Sequence, residues 1–158
     1  MRDLGVRLAE VLRAGDLVVL SGGLGSGKTT LTQGIGEGLK VRGPITSPTF
    51  VIARVHPSLS GGPALVHVDA YRLGGLAEVD DLDLDASLDE AVTVVEWGAG
   101  LVDGLAADRL VVELTGSVEE GAPENGAPEN GAPRDGADEE RIVRFIGIGD
   151  RWASVSAL

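Results

Sequence analysis

The stretch LVVLSGGLGSGKTTL, residues 17–31, constrains the fold of this chain more than any other feature. Residues 22–29 match the pattern G-x-x-x-x-G-K-[ST] without a mismatch. An apolar run of strand length precedes the glycines, and residues 29–40 are predicted to form a helix. Glycines let successive backbone N–H groups converge on phosphate oxygens, and a helix N-terminus adds partial positive charge. The stretch therefore predicts a nucleotide-binding phosphate loop between a buried strand and a helix.

This loop supplies most of the candidate nucleotide ligands. They are Gly22, Gly23, Leu24, Gly25, Ser26, Gly27, Lys28, Thr29 and Thr30. The pattern predicts that Lys28 reaches the β- and γ-phosphates and that the Thr29 hydroxyl coordinates Mg²⁺.

Hydrolysis of the bound nucleotide also needs a carboxylate for the metal ion. Two predicted strands end in one, because PALVHVDAYRL carries Asp69 and VTVVEWGAG carries Glu96. Ligands of parallel α/β sheets bind at the carboxyl ends of the strands, so either acid could face the phosphates. The alternative for each is a carboxylate that caps the next turn.

Two further patterns admit both a functional and a structural interpretation. His67 and Asp69 share one face of a strand, and H-x-D spacing occurs in metal sites. The chain has two histidines and no cysteine, which favours a structural or supporting role for His67. The motif TSPTF, residues 46–50, is either a proline turn or a switch-like loop in which Thr49 or Ser47 senses the γ-phosphate or Mg²⁺.

The remaining patterns predict one α/β domain over residues 1–158. A first helix contains Leu4, Leu8, Val11 and Leu12 and ends by Gly15. Strands are predicted at 17–21, 49–55, 64–69, 92–96, 109–114 and 141–146, with short helices across 76–84 and 101–107. We interpret the glycines at 34, 36 and 38 as allowing the helix 29–40 to pack closely on the sheet.

An acidic, low-complexity segment at residues 118–140 precedes the last predicted strand. The pentad GAPEN occurs twice in it and is followed by a diverged GAPRD. The composition predicts a disordered inserted loop, and a recognition tail is the alternative.

The net charge of −12 is confined to two blocks. Residues 78–90 and 119–140 carry −7 each, which leaves a net +2 for the rest of the chain. Neither block suits a nucleic-acid surface, so we expect no strong direct binding of nucleic acid. Because the chain has no cysteine, no uninterrupted apolar core of a signal peptide and no apolar run of about 20 residues, it is predicted to be cytoplasmic and without a membrane segment.

Taken together, the motifs GLGSGKTT, TSPTF, HVDAYRL and VEW resemble the TsaE family in order and spacing. That family comprises the small P-loop ATPases of bacterial threonylcarbamoyladenosine (t6A) modification of tRNA. The likeness extends from about Leu4 to Leu114 and includes a final strand. It implies an α/β P-loop fold with a mixed β-sheet flanked by helices, with ATP and Mg²⁺ as cofactors.

The resemblance also implies partners and residue roles. Hydrolysis would be weak without the TsaD and TsaB proteins, which carry the transferase chemistry at adenosine 37 of tRNAs that read codons beginning with A. Lys28 and Thr29 would hold phosphate and magnesium, and Thr49 would belong to the switch-like loop. Asp69 would be the metal-linked carboxylate, with Glu96 close to Mg²⁺ and the γ-phosphate. Trp97 would lie beside the nucleotide.

Three other functions remain open at this point. A small-molecule or nucleotide kinase needs an acceptor pocket and usually an arginine-rich lid, whereas the arginines here are scattered. A GTP-dependent switch usually reads guanine through N-K-x-D, which this chain lacks. The third alternative is a nucleotide-binding scaffold that does not hydrolyse its ligand.

Overall fold

A computed structural model of the chain describes residues 1–47, 53–72, 89–100, 104–115 and 141–153. The described residues form two helices and six strands. The helices are α1 (Arg2–Ala9) and α2 (Lys28–Gly38); the strands are β1 (Leu17–Gly22), β2 (Ala53–His56), β3 (Ala64–Asp69), β4 (Ala91–Glu96), β5 (Arg109–Thr115) and β6 (Ile142–Ile148). One turn of 3-10 helix, Ala70–Arg72, follows β3.

All six strands belong to one mixed sheet with the order β2–β3–β4–β1–β5–β6. The four central strands are parallel, and the two edge strands, β2 and β6, are antiparallel to their neighbours. Buried apolar runs explain the parallel centre, since all six residues of β4 and residues 17–20 of β1 are buried. The predicted α/β fold with a mixed sheet is confirmed.

This topology places the phosphate loop at the edge where the parallel strands end. Leu20 of β1 is in register with Glu96, and Glu96 is in register with Asp69 of β3. Because β6 runs antiparallel to β5, its first residue lies at the same edge, where Ile142 pairs with Thr115.

Each face of the sheet carries its own hydrophobic cluster. The larger cluster joins α1 and α2 to the sheet through residues such as Leu8, Leu31 and Leu20. The cluster on the other face includes Leu17, Val19, Val66, Val68 and Val95. Alternate residues of β1 therefore serve opposite faces, as the two-residue period of a strand requires.

Several predicted boundaries differ from the observed ones. The first helix ends at Ala9, because the N–H of Glu10 bonds to Arg7 O in a tighter turn, and Leu12 is buried beyond it. Of the predicted helix 101–107, the structure describes 104–107, and these residues are not helical. Of the predicted strand 49–55, the described part is extended. The predicted helix across 76–84 and the insertion 118–140 lie outside the described residues.

None of the three glycines of α2 packs on the sheet, which corrects the prediction that they do; Gly34 and Gly38 pack against α1. A Cβ on Gly34 would collide with the backbone carbonyl of Arg2, and one on Gly38 would meet Ala9 and Val6. A Cβ on Gly36 would meet the side chain of Ile45. Gly34 and Gly38 thus allow α1 to approach α2 closely. Among the described residues, no helix is long and apolar enough to cross a membrane.

Candidate nucleotide-binding site

A cavity of about 520 Å³ opens at the carboxyl edge of the central strands. This volume falls within the range of small-molecule sites. The cavity lies over the phosphate loop and is lined by Leu24, Gly25, Gly27, Lys28, Thr29, Thr30, Ser47, Asp69, Tyr71, Glu96, Trp97 and Arg141. The structure therefore gathers residues from five separate parts of the sequence at one site.

The phosphate loop leads directly from β1 into α2. Gly27 caps α2 with a φ of 100°, a left-handed conformation that a residue with a Cβ rarely adopts. The first N–H groups of α2 have no partner within the helix, and the residues at this end of the helix, Gly27, Lys28 and Thr29, line the cavity. This end of α2 suits a phosphate group.

Lys28 is held across the mouth of the loop. Its Nζ donates hydrogen bonds to the carbonyl oxygens of Gly22 and Gly23, both at 2.8 Å, and lies 3.4 Å from Ser26 Oγ. The same Nζ lies 3.8 Å from the centre of the Trp97 ring, which is a cation–π contact. Burial lowers the pKa of the Lys28 ammonium, and the charges of Glu96 and Asp69 oppose that shift.

Glu96 connects the loop to the sheet. Its carboxylate accepts a hydrogen bond from Thr29 Oγ1, which lies 3.2 Å from Oε1 and 3.3 Å from Oε2. His67 Nε2 lies 2.8 Å from Oε1, and both side chains are buried. Since an ionised carboxylate only accepts, this contact requires the His67 proton on Nε2. His67 therefore fixes the orientation of Glu96, which agrees with the supporting role that the sequence favoured.

Asp69, Tyr71 and Trp97 line another part of the cavity. Asp69 Oδ1 accepts a hydrogen bond from the backbone N–H of Tyr71 at 3.0 Å. The rings of Tyr71 and Trp97 lie 5.2 Å apart at an angle of 55°. Trp97 has a φ of 62°, which is unusual for a residue with a large side chain. Such strained residues cluster at functional sites, and here the strain accompanies the contact with Lys28.

The residues present suit a magnesium ion bound together with phosphate. Thr29, Asp69 and Glu96 offer oxygen donors, which Mg²⁺ prefers. Within the described part of the chain, no three His, Asp or Glu side chains gather closely enough to hold a metal ion by themselves. This agrees with the usual magnesium site, where one or two carboxylates act with substrate phosphates and water.

The structure brings nearly all sequence-predicted site residues to this cavity. Gly22, Gly23 and Ser26 contribute by holding Lys28, and the others line the cavity directly. Thr49 lies outside the described residues, whereas Ser47 of the same motif lines the cavity. Sequence reasoning missed Arg141, because only the strand order shows that the residue before β6 reaches the phosphate loop.

Comparisons with known proteins agree on one family. The model of a family described as threonylcarbamoyl adenosine biosynthesis protein TsaE matches residues 1–122. The tRNA threonylcarbamoyladenosine biosynthesis protein TsaE of Streptomyces coelicolor is 60% identical over 155 residues, which cover 98% of this chain and 95% of that protein. The protein of the same name from Mycobacterium tuberculosis is 57% identical over 118 residues, or 70% of each chain. The crystal structure of Bacillus subtilis YdiB matches with a TM-score of 0.64 at 27% identity, over 96% of this chain and 80% of that one.

Proposed function

The chain belongs to the TsaE family, and on that premise we propose that it is a Mg²⁺-dependent ATPase. It supports formation of the threonylcarbamoyl group on adenosine 37 of tRNAs that read codons beginning with A. It acts in the cytoplasm with the TsaD and TsaB proteins, as one domain over residues 1–158. Its ATP hydrolysis is weak until those partners are present.

The observation that carries this proposal is the meeting of the phosphate loop with two carboxylates. Thr29 of the loop contacts Glu96 of β4, and Asp69 of β3 lines the same cavity. The three residues provide a site for magnesium beside the end of α2 that suits phosphate.

The chain's own residues then have separable tasks. Lys28 and the backbone N–H groups of the loop bind phosphate oxygens, while Thr29, Asp69 and Glu96 hold the metal ion. When bound, Mg²⁺ neutralises charge on the phosphate oxygens during hydrolysis. His67 keeps the Glu96 carboxylate turned towards Thr29. Trp97 contacts Lys28 and so lies beside the phosphate end of the ligand.

The acidity of the chain supports an indirect route to tRNA. The two acidic blocks carry most of the charge, and the rest of the chain is nearly neutral. Phosphate contacts depend on clustered Lys and Arg, so the isolated chain should have negligible affinity for tRNA at physiological salt. TsaD and TsaB would provide the tRNA contact.

The deciding experiment is an ATPase assay of the chain with and without TsaD and TsaB. We expect slow release of phosphate from ATP by the chain alone, clear stimulation by the partners, and loss of both on removal of Mg²⁺. Competent partners that give no stimulation would contradict the proposal. A phosphorylated acceptor in place of free phosphate would indicate the kinase alternative.

A further inference from the structure

The side chain of Arg141, the residue before β6, lies close to the phosphate loop. Its Nη1 lies 3.1 Å from the position that a Cβ on Gly27 would occupy, and its side chain lines the nucleotide cavity. The strand order explains this placement. Because β6 is antiparallel to β5, the residue just before Ile142 lies at the edge where the parallel strands end.

The local charges favour an anion between Arg141 and the loop. The N-terminus of a helix carries a partial positive charge, so a guanidinium beside Gly27 repels the end of α2. No ion pair joins Arg141 to another described residue, whereas Arg2, Arg144 and Arg151 each have a described acidic partner. An anion bound on the loop would attract both the Arg141 guanidinium and the N-terminus of α2. Arg is a common ligand of phosphate groups.

The sheet order also indicates which part of the nucleotide Arg141 meets. Glu96 and Asp69 lie on β4 and β3, on one side of β1. Arg141 precedes β6, on the other side of β1, beyond β5. The proposed metal site and the γ-phosphate belong to the side of the acids. A nucleotide bound on the loop would therefore have its γ-phosphate on the side of the acids, and Arg141 would lie nearer to the other phosphates.

We propose that Arg141 binds a phosphate that ATP and ADP share and so contributes to the affinity for both nucleotides, on the side of the loop opposite to Glu96. This inference rests on the proposed nucleotide binding. It differs from the usual arginine that stabilises the transferred γ-phosphate, because a contact with either of the other two phosphates is present equally in ATP and ADP.

The test is calorimetric titration of ADP and of a slowly hydrolysed ATP analogue, each with Mg²⁺, into the full chain and three variants. Arg141→Ala should weaken the binding of both nucleotides by the same factor, about fivefold to tenfold. Arg141→Lys should recover part of the loss, since it keeps the charge but lacks the planar fork of donors. In the partner-stimulated ATPase, the loss of kcat/KM in Arg141→Ala should appear mainly as a higher KM.

Arg144→Ala is the matched control. Arg144 lies three residues after Arg141, within β6; it contacts Glu113 at 3.6 Å and does not line the cavity. Arg144→Ala removes the same charge as Arg141→Ala. Equal losses of affinity in the two variants would therefore show a general charge effect and overturn the inference. A loss confined to the ATP analogue would place Arg141 at the γ-phosphate and also overturn it. If the unmodified chain bound neither nucleotide, the proposed function itself would fail.

Discussion

The carboxylate of Glu96 has two side-chain partners within hydrogen-bond distance. It accepts from Thr29 and His67, and it is buried at the end of β4. A buried carboxylate needs such donors, because its transfer from water is costly without them. Asp69 has less constraint, since its observed partner is the backbone N–H of Tyr71. The strand-end pattern treated the two acids alike, and the family resemblance made Asp69 the metal-linked carboxylate; in the structure it is Glu96 that contacts Thr29.

This difference predicts unequal effects of removing the two charges. Glu96→Gln should lower the partner-stimulated ATPase rate by at least about 100-fold, and Asp69→Asn by less, because only Glu96 contacts the proposed magnesium ligand Thr29. Steady-state phosphate release measures both rates. Gln keeps an oxygen that accepts from Thr29 and His67, so the fold should be retained. Glu113→Gln, at a half-buried position of β5 outside the cavity, is the charge-matched control. A larger loss of rate in Asp69→Asn than in Glu96→Gln would make Asp69 the more important carboxylate and contradict the prediction.

The elements show how far local patterns specify this fold. Apolar runs identified β1, β3 and β4, and the phosphate-loop spacing identified the start of α2. Packing partners have no such local signal. The three glycines of α2 were visible in the sequence, but the contact of Gly34 and Gly38 with α1 depends on how the two helices cross over the sheet. The end of α1 depends on a single tightened turn at Glu10.

The crossing of α1 and α2 predicts that Gly34→Ala destabilises the protein. Alanine would favour the helix by about 1 kcal/mol, but overpacking costs about 1–3 kcal/mol. The added methyl would collide with the backbone of Arg2, which has no rotamer to yield, so the clash should dominate. Urea unfolding should show a net loss of up to about 2 kcal/mol in the free energy of unfolding.

Gly62→Ala provides the comparison for that substitution. The nearest atoms to a Cβ on Gly62 are the hydroxyl oxygens of Ser60 and Ser58, at 3.8 and 3.9 Å, so the side chain fits. Its free energy of unfolding should stay within about 0.5 kcal/mol of the unmodified chain. If Gly34→Ala were as stable as Gly62→Ala, the close approach of the helices would not require glycine.

At the scale of the whole molecule, the contacts that close the fold join distant parts of the chain. Arg151 donates to both carboxylate oxygens of the buried Asp16, at 3.0 and 2.9 Å, and to Val11 O at 2.7 Å. This pair ties the residues after β6 to the turn before β1. Like the approach of Arg141 to Gly27, it follows from the strand order, which a single sequence with no pairing information cannot supply.

The environment of His56 implies that the free energy of unfolding of the whole molecule depends on pH. The side chain is buried at the end of β2, and its Nδ1 lies 2.9 Å from Arg42 O, so the neutral ring carries its proton on Nδ1. Nε2 has no hydrogen-bond partner among the described residues. Burial lowers the pKa of His56 below its ordinary value of 6.5, and the hydrogen bond to Arg42 opposes that shift.

The sign of the effect follows from proton binding in the two states. Below about pH 6.5 the unfolded chain binds a proton at His56 that the native state excludes, so the free energy of unfolding falls as the pH falls from there towards the lowered native pKa. His56→Asn keeps a donor for Arg42 O but does not titrate. Urea unfolding between pH 7.5 and 5 should therefore show a smaller loss of stability in His56→Asn than in the unmodified chain. All other titrating groups are common to both proteins, so parallel curves would mean that His56 takes up its proton equally well in the folded state.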